Sequence, residues 1–189
     1  MLMTETKLAR AAARLNAGFL CLMTDDERLP DPVAAARALP RGSLVIIRAR
    51  DAKRRRALAE ALLANTRGHI LLAADDPVLA EELHGLHLPE ARARETAHWR
   101  ALRPHWVITV AAHSARALHT PYADAALLSP VFPTRSHPDA PILTSARARL
   151  IARASRLPVI ALGGVNDCNA ALLTGFSGIA AIESLNVQA

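Results

Sequence analysis

Lysine is nearly missing from this chain. Of 23 basic residues only Lys7 and Lys53 are lysines, so the formal surplus of +6 and the isoelectric point near 10.5 are carried by guanidinium groups. Aromatic residues make up 3%, too few for the stacked platforms that grip single-stranded nucleic acid. The two cysteines, Cys21 and Cys168, lie far apart and form no CxxC, which excludes a disulfide framework and a cysteine zinc site. Free thiols fit a reducing compartment, and a cytoplasmic location is expected. No apolar run approaches the ~20 residues of a membrane span, so no membrane partner is expected. Lys7, Arg10 and Arg14 interrupt the apolar start, and no signal-peptide core with a small-residue cleavage site follows. Residues 1–17 therefore read as a helix packed on the domain. The 12 prolines are dispersed and no Gly or Ser tract marks a linker. Neither a Walker A motif nor GxGxxG is present, so a nucleotide cradle has no support.

What remains is enough for one domain: 189 residues, 20.2 kDa. Hydrophobic residues reach 51%, although 40 of them are alanine. With charged residues at 21% and a mean hydropathy of +0.15, disorder is excluded. The arginines are interleaved with acids, which reads as compositional bias more than as a patch for nucleic acid, with anionic ligands as the alternative. Lys53, Arg54, Arg55 and Arg56 in succession cannot share one helix face and read as a solvated surface.

Short apolar runs recur along the chain: FLCLMT at 19–24, SLVII at 43–47, HILLA at 69–73, GLHL at 85–88, WVITVA at 106–111, DAALL at 124–128, PVIAL at 158–162 and GIAAI at 178–182. Each is too short for a helix and apolar on both faces, the signature of parallel strands covered on both sides. Helical spacing appears between them, at Leu58, Leu62 and Leu63, at Val78, Leu79 and Leu83, and at Leu150, Ile151 and Ala154. Eight strands alternating with helices predict a (βα)8 barrel over a doubly wound open sheet. After the eighth run only Glu183–Ala189 remain, so a shortened final helix is expected. The N-terminal segment could cover part of the wall left bare, and a second copy of the chain in a homodimer the rest.

In such a barrel the chemistry sits in the loops after the strands, and a phosphate site commonly follows strands seven and eight. Gly163-Gly164 ends the seventh run just before an expected helix start at Asn166 or Asp167. That pair reads either as a tight strand-to-helix turn or as an anion site, where backbone amides and a helix N-terminus meet a phosphate. The longest loop, SPVFPTRSHPDAP from Ser129 to Pro141, carries four prolines beside hydroxyl, guanidinium and imidazole groups. It reads either as a rigid surface loop or as a lid whose Thr134, Arg135, Ser136 and His137 grip a diphosphate. His84 and His87, three apart on a strand, would point to opposite faces, which disfavours a metal pair. Trp99 and Trp106 read as packing residues.

The blocks ADAALLSPVFPTRSHPDAP, PVIALGGVNDCN and SGIAAIESL, preceded in order by LCLMTDD, LVIIRAR, LLAADDPVLAEELHGLHLPE and VITVAAHS, resemble the thiamine phosphate synthase family and its relatives the thiazole tautomerases. The resemblance spans roughly residues 18–185, and PVFPT is its most specific piece. It implies a (βα)8 barrel that joins an aminopyrimidine diphosphate to a thiazole phosphate and releases pyrophosphate, with Mg²⁺ and basic groups holding the diphosphate. Both phosphorylated thiamine precursors would be its small-molecule partners. On the family's pattern Arg48 matches the Arg of a Gln-x-Arg-x-Lys motif, with Arg50 in place of the Lys and Ile46 in place of the Gln. Asp75 matches a metal-binding Asp, with Ala74 before it instead of Asn. Thr134 and Ser136 match the lid hydroxyls, His137 stands in place of a lid Lys, and Arg135 lies between. Gly163 and Gly164 match the turn that holds the product phosphate. Where the family supplies a second metal carboxylate this chain has Arg92, expected with Arg50 and Arg135 to meet the diphosphate, and Glu90 is the nearest acid. At a phosphate-binding Ser it has Glu183, with Ser184 next. His113 matches an acid/base His of the tautomerases and reads either so or as a helix cap. The resemblance thus implies coupling, with two alternatives: proton transfer by His113, or a paralogue that binds a phosphorylated ligand without turning it over.

Overall fold

A computed structural model describes residues 19–134 and 143–182. Eight parallel strands close into a barrel: β1 (Phe19–Met23), β2 (Leu44–Ile47), β3 (Ile70–Ala74), β4 (Gly85–Leu88), β5 (Val107–Ala112), β6 (Ala125–Leu128), β7 (Val159–Ala161) and β8 (Gly178–Ala181). Neighbours in sequence are neighbours in the sheet, and β1 closes on β8 through Phe19↔Gly178 to Leu22↔Ala181. The expected barrel is the observed one.

The continuous apolar runs follow from two separate cores. Alternate side chains of each strand point to opposite faces. Cys21, Met23, Leu44, Ile46, Leu72, Leu127 and Ile160 fill the lumen. Leu20, Leu22, Val45, Ile47, Leu71, Leu86, Leu88, Ile108 and Val110 face the outer layer, so neither side meets water. Two polar side chains interrupt the lumen, His87 of β4 and Thr109 of β5, and both are buried.

The outer layer is thin. Helix α1 (Pro32–Arg37) is capped by the Asp31 carboxylate, and α2 (Ala52–Asn65) by that of Asp51. Helix α3 (Pro77–Ala80) is a single turn, so the expected helix through Leu83 stops early: Pro77 opens it and β4 begins at Gly85. Helices α4 (Thr96–Leu102) and α5 (Ser145–Ala154) complete the α-helices among the described residues. In α5 Ala148 and Ala152 face the barrel and Ile151 packs against the same core, while Leu150 and Ala154 are exposed, a correction to two of the three positions expected from Leu150, Ile151 and Ala154. Trp99 and Trp106 stack with ring centroids 5.7 Å apart, as packing residues do. The expected helices at 1–17 and after β8 lie outside the described residues.

Candidate active site

A pocket opens at the carboxyl ends of the strands, floored by Met23, Ala74, His87 and Leu127. Its walls come from the segments that follow all eight strands, with Pro89, His113 and Ile182 contributed after β4, β5 and β8. The glycine turn and the first half of the proline-rich segment meet on one side of it. The Val131 amide donates to the Leu162 carbonyl at 3.0 Å and the Phe132 amide to the Gly163 carbonyl at 3.1 Å. Both glycines have positive φ, +93° at Gly163 and +65° at Gly164, and each is packed against the opposite segment. The Thr134 hydroxyl lies on this side, shielded from solvent and without a hydrogen-bond partner among the described residues. Such an orphaned polar group is a natural contact for a bound ligand. Arg135, Ser136, His137 and Ser184 of the expected site, and Glu183, lie outside the described residues.

No α-helix follows the glycine turn, which corrects the expected start at Asn166 or Asp167; the chain makes only a 3-10 turn at Ala170–Leu172. Two asparagines explain why. The Asn166 Oδ1 accepts from the amides of Cys168 and Asn169, the Asn169 Oδ1 accepts from the Asn166 amide, and the Asn169 Nδ2 donates to the Gly164 carbonyl at 2.8 Å. Side chains that bond the local backbone compete with helix formation. The glycine turn therefore continues into a loop braced by side chains, with no α-helix N-terminus beside it.

The opposite side is a lattice of ion pairs. Arg48 reaches back from β2 to Asp25 at 2.6 Å, where Arg28 also binds at 2.7 Å. These bonds and two backbone amides hold the Asp25 carboxyl well below the usual carboxylate range, with the Arg28 guanidinium the largest cause. Arg50 pairs with Glu27 at 2.9 Å and Arg54 with Asp26 at 2.8 Å. Arg55 pairs with Asp76 at 3.0 Å and Arg56 with Glu82 at 2.6 Å, so three members of the basic run on α2 meet carboxylates. Asp75, at φ +54°, accepts from Arg92 at 2.5 Å, and Arg92 grips Glu95 with its Nε at 2.7 Å and its second terminal nitrogen at 2.6 Å. Four carboxylates and four guanidiniums line the pocket, so its charge is balanced.

The residues after β3 and β4 do not fit Mg²⁺. That ion asks for open oxygen ligands in an octahedron, with one or two carboxylates among them. One oxygen of Asp75 and both of Glu95 are occupied by a guanidinium, and among the described residues no group of three or more His, Cys, Asp or Glu is placed to hold a metal.

His113 stands exposed at the end of β5. Its amide donates to the Glu90 carboxylate at 2.7 Å, and its Nδ1 lies 2.9 Å from the Ser129 carbonyl oxygen. A carbonyl can only accept, so Nδ1 donates this bond, and in the neutral ring the lone pair is on Nε2. The helix-cap reading is not what this side chain does. His87, which the strand periodicity disfavours as half of a metal pair, lines the pocket floor with Nδ1 2.9 Å from the Thr109 hydroxyl. Burial, with a smaller part from the nearby Arg48 charge, pushes its pKa down to about 4, so it is a neutral ring. A polar residue in an otherwise apolar strand was the available signal. His84, three positions earlier, instead accepts from the Leu71 amide through Nδ1 at 3.1 Å.

Fold and pocket define a (βα)8-barrel protein with its site at the carboxyl ends of the strands. The chain belongs to the thiamine monophosphate synthase family, whose model matches residues 20–185. It is 31% identical over 179 residues to the thiamine-phosphate synthase of Pyrococcus furiosus, covering 88% of this chain and 86% of that one. It is 31% identical over 194 residues to the thiamine-phosphate synthase of Acidithiobacillus ferrooxidans, covering 88% and 85%. Among solved structures it resembles in fold the thiamine phosphate pyrophosphorylase from Pyrococcus furiosus, with a TM-score of 0.69, 23% identity and coverage of 89% and 87%.

Proposed function

We propose that this chain acts on a phosphorylated thiazole precursor of thiamine, moving a proton on the bound ring with His113. The observation that carries the reading is the bond from His113 Nδ1 to the Ser129 carbonyl, which leaves Nε2 of the neutral ring as the base. Family membership supplies the ligand class. The phosphate would rest against the amides of the Gly163-Gly164 turn, with the Thr134 hydroxyl as a further donor. Nε2 takes a proton from one carbon of the ring system and the resulting imidazolium returns it to another. The step is an isomerisation: no atom is lost and no co-reactant is needed.

Coupling is the second reading, favoured by the relatives named thiamine-phosphate synthase. In it the thiazole nitrogen bonds to the methylene carbon of an aminopyrimidine diphosphate as the carbon–oxygen bond breaks and pyrophosphate leaves. Arg48 and Arg50 stand on the side where that leaving group would be met, but both are paired with carboxylates, so its negative charge gains little there.

One assay separates the readings. Each precursor is supplied alone and together, in Mg²⁺ and in chelator, and ring isomerisation and pyrophosphate are both followed. Isomerisation that persists in chelator and is lost in His113→Ala supports the first reading. Pyrophosphate released only when both precursors are present, at an undiminished rate in His113→Ala, overturns it.

A further inference from the structure

We propose that Arg92 is a resident cation: its guanidinium, clasped between Asp75 and Glu95, takes the coordination space of a divalent ion and makes ligand binding at this rim independent of metal. The inference concerns which charges the rim accepts and stands whichever reaction the pocket performs.

Three observations carry it. Arg92 spends a terminal nitrogen on Asp75 at 2.5 Å and its remaining edge, Nε and the other terminal nitrogen, on both oxygens of Glu95. This is the bidentate fork that a planar guanidinium forms with a carboxylate and that no hydrated ion reproduces. A guanidinium is charged at any ordinary pH, and seated between the two carboxylates it fills the space a second cation would need. Asp75 is held in the left-handed region, at φ +54°, where its side chain meets Arg92 from across the β3–β4 junction. Chain geometry as well as charge therefore builds the pair.

The consequence reaches the ligand. Two carboxylates share one guanidinium, so this cluster carries net negative charge and offers nothing to a diphosphate. A ligand phosphate is therefore expected on the glycine side of the pocket, away from this cluster.

Binding of Mn²⁺ to the full chain, read by the loss of the free-ion electron paramagnetic resonance signal, tests the assignment without reference to turnover. The wild type is expected to leave millimolar Mn²⁺ free. Arg92→Asp, which supplies a carboxylate where the guanidinium was, is expected to bind one ion at least tenfold more tightly, and Asp75→Asn in that background to abolish the gain. Should Arg92→Asp not fold, Arg92→Ala, which only uncovers Asp75 and Glu95, is expected to gain binding in the same direction. A stoichiometric Mn²⁺ site in the wild type that Asp75→Asn removes would overturn the proposal. So would a folded Arg92 variant that gains nothing. Inorganic phosphate binding that is equal in chelator and in Mg²⁺ supports it, and binding that requires Mg²⁺ sinks it. None of these readouts depends on His113, so a failed isomerisation assay leaves them intact.

Discussion

Gly164 sits so close to Pro133 that a β-carbon added to it would stand 2.3 Å from the Pro133 carbonyl oxygen and 2.8 Å from the Phe132 β-carbon. The obstacle is largely backbone, and at φ +65° a side chain is strained in addition. Gly164→Ala should therefore cost about 2 kcal/mol from backbone conformation alone, and more from the forced parting of the two loops. The expected outcome is a lower urea midpoint together with loss of the thermal stabilisation given by inorganic phosphate. A variant that keeps both would show that the turn does not brace the anion side.

The barrel was legible because its signal is redundant. Eight runs that are apolar on both faces, such as Leu20–Leu22 or Val45–Ile47, have no other common arrangement at this length. The outer helices were less so. Spacing alone suggested a helix through Leu83, but a span of ten residues between β3 and β4 leaves room for one turn. The expected helix after Gly164 failed for a different reason: Asn166 and Asn169 read as cap and loop residues alike, and only their mutual bonds decide the matter. At the site, the residue types were readable and their partners were not. Nothing in the sequence says that Asp75 faces Arg92, seventeen positions on, or that Arg48 turns to Asp25.

His87 makes stability depend on pH. In the folded chain its pKa is about 4, against 6.5 for the exposed ring. Above pH 6.5 both states are neutral and the group contributes nothing to the dependence. As pH falls below 6.5 the unfolded chain takes up a proton that the folded one refuses, so stability is lost progressively until about pH 4 and levels off there. The loss over that window should be about 3 kcal/mol. His69, buried and likewise lowered mainly by desolvation, adds to the slope with the same sign. Urea titrations at pH 7 and pH 4 should show His87→Gln losing less stability on acidification than the wild type, with the part due to His69 remaining. An identical loss in both proteins would remove His87 as the source.

The two thiols should differ sharply. Cys21 is fully enclosed in the lumen, where desolvation pushes its pKa up to about 12, while Cys168 lies exposed in the loop after the glycine turn. A thiolate is the reactive form, and burial removes both the thiolate and the access. Ellman's reagent should titrate one thiol per native chain and two after denaturation. Cys168→Ser should abolish the native reaction. Fast labelling of Cys21 in the native protein would mean that the lumen opens, and with it the floor of the pocket.

Glu90 reaches from the turn after β4 to the backbone amide of His113 at 2.7 Å, and this bond fixes where the imidazole stands. A carboxylate that accepts from an amide holds it more firmly than a neutral acceptor, although solvent access moderates the difference. Glu90 is thus placed to act as a positioning residue for the proton transfer proposed for His113. Glu90→Gln, which keeps an acceptor oxygen, should lower kcat only a few-fold, whereas Glu90→Ala should lower it by about one to two orders of magnitude, the cost of a displaced catalytic group. KM for the phosphorylated ligand should change little in either, because the phosphate side of the pocket is untouched. Matching losses in kcat and phosphate affinity would show instead that Glu90 supports the whole rim, and an unchanged kcat in Glu90→Ala would remove its role in placing His113.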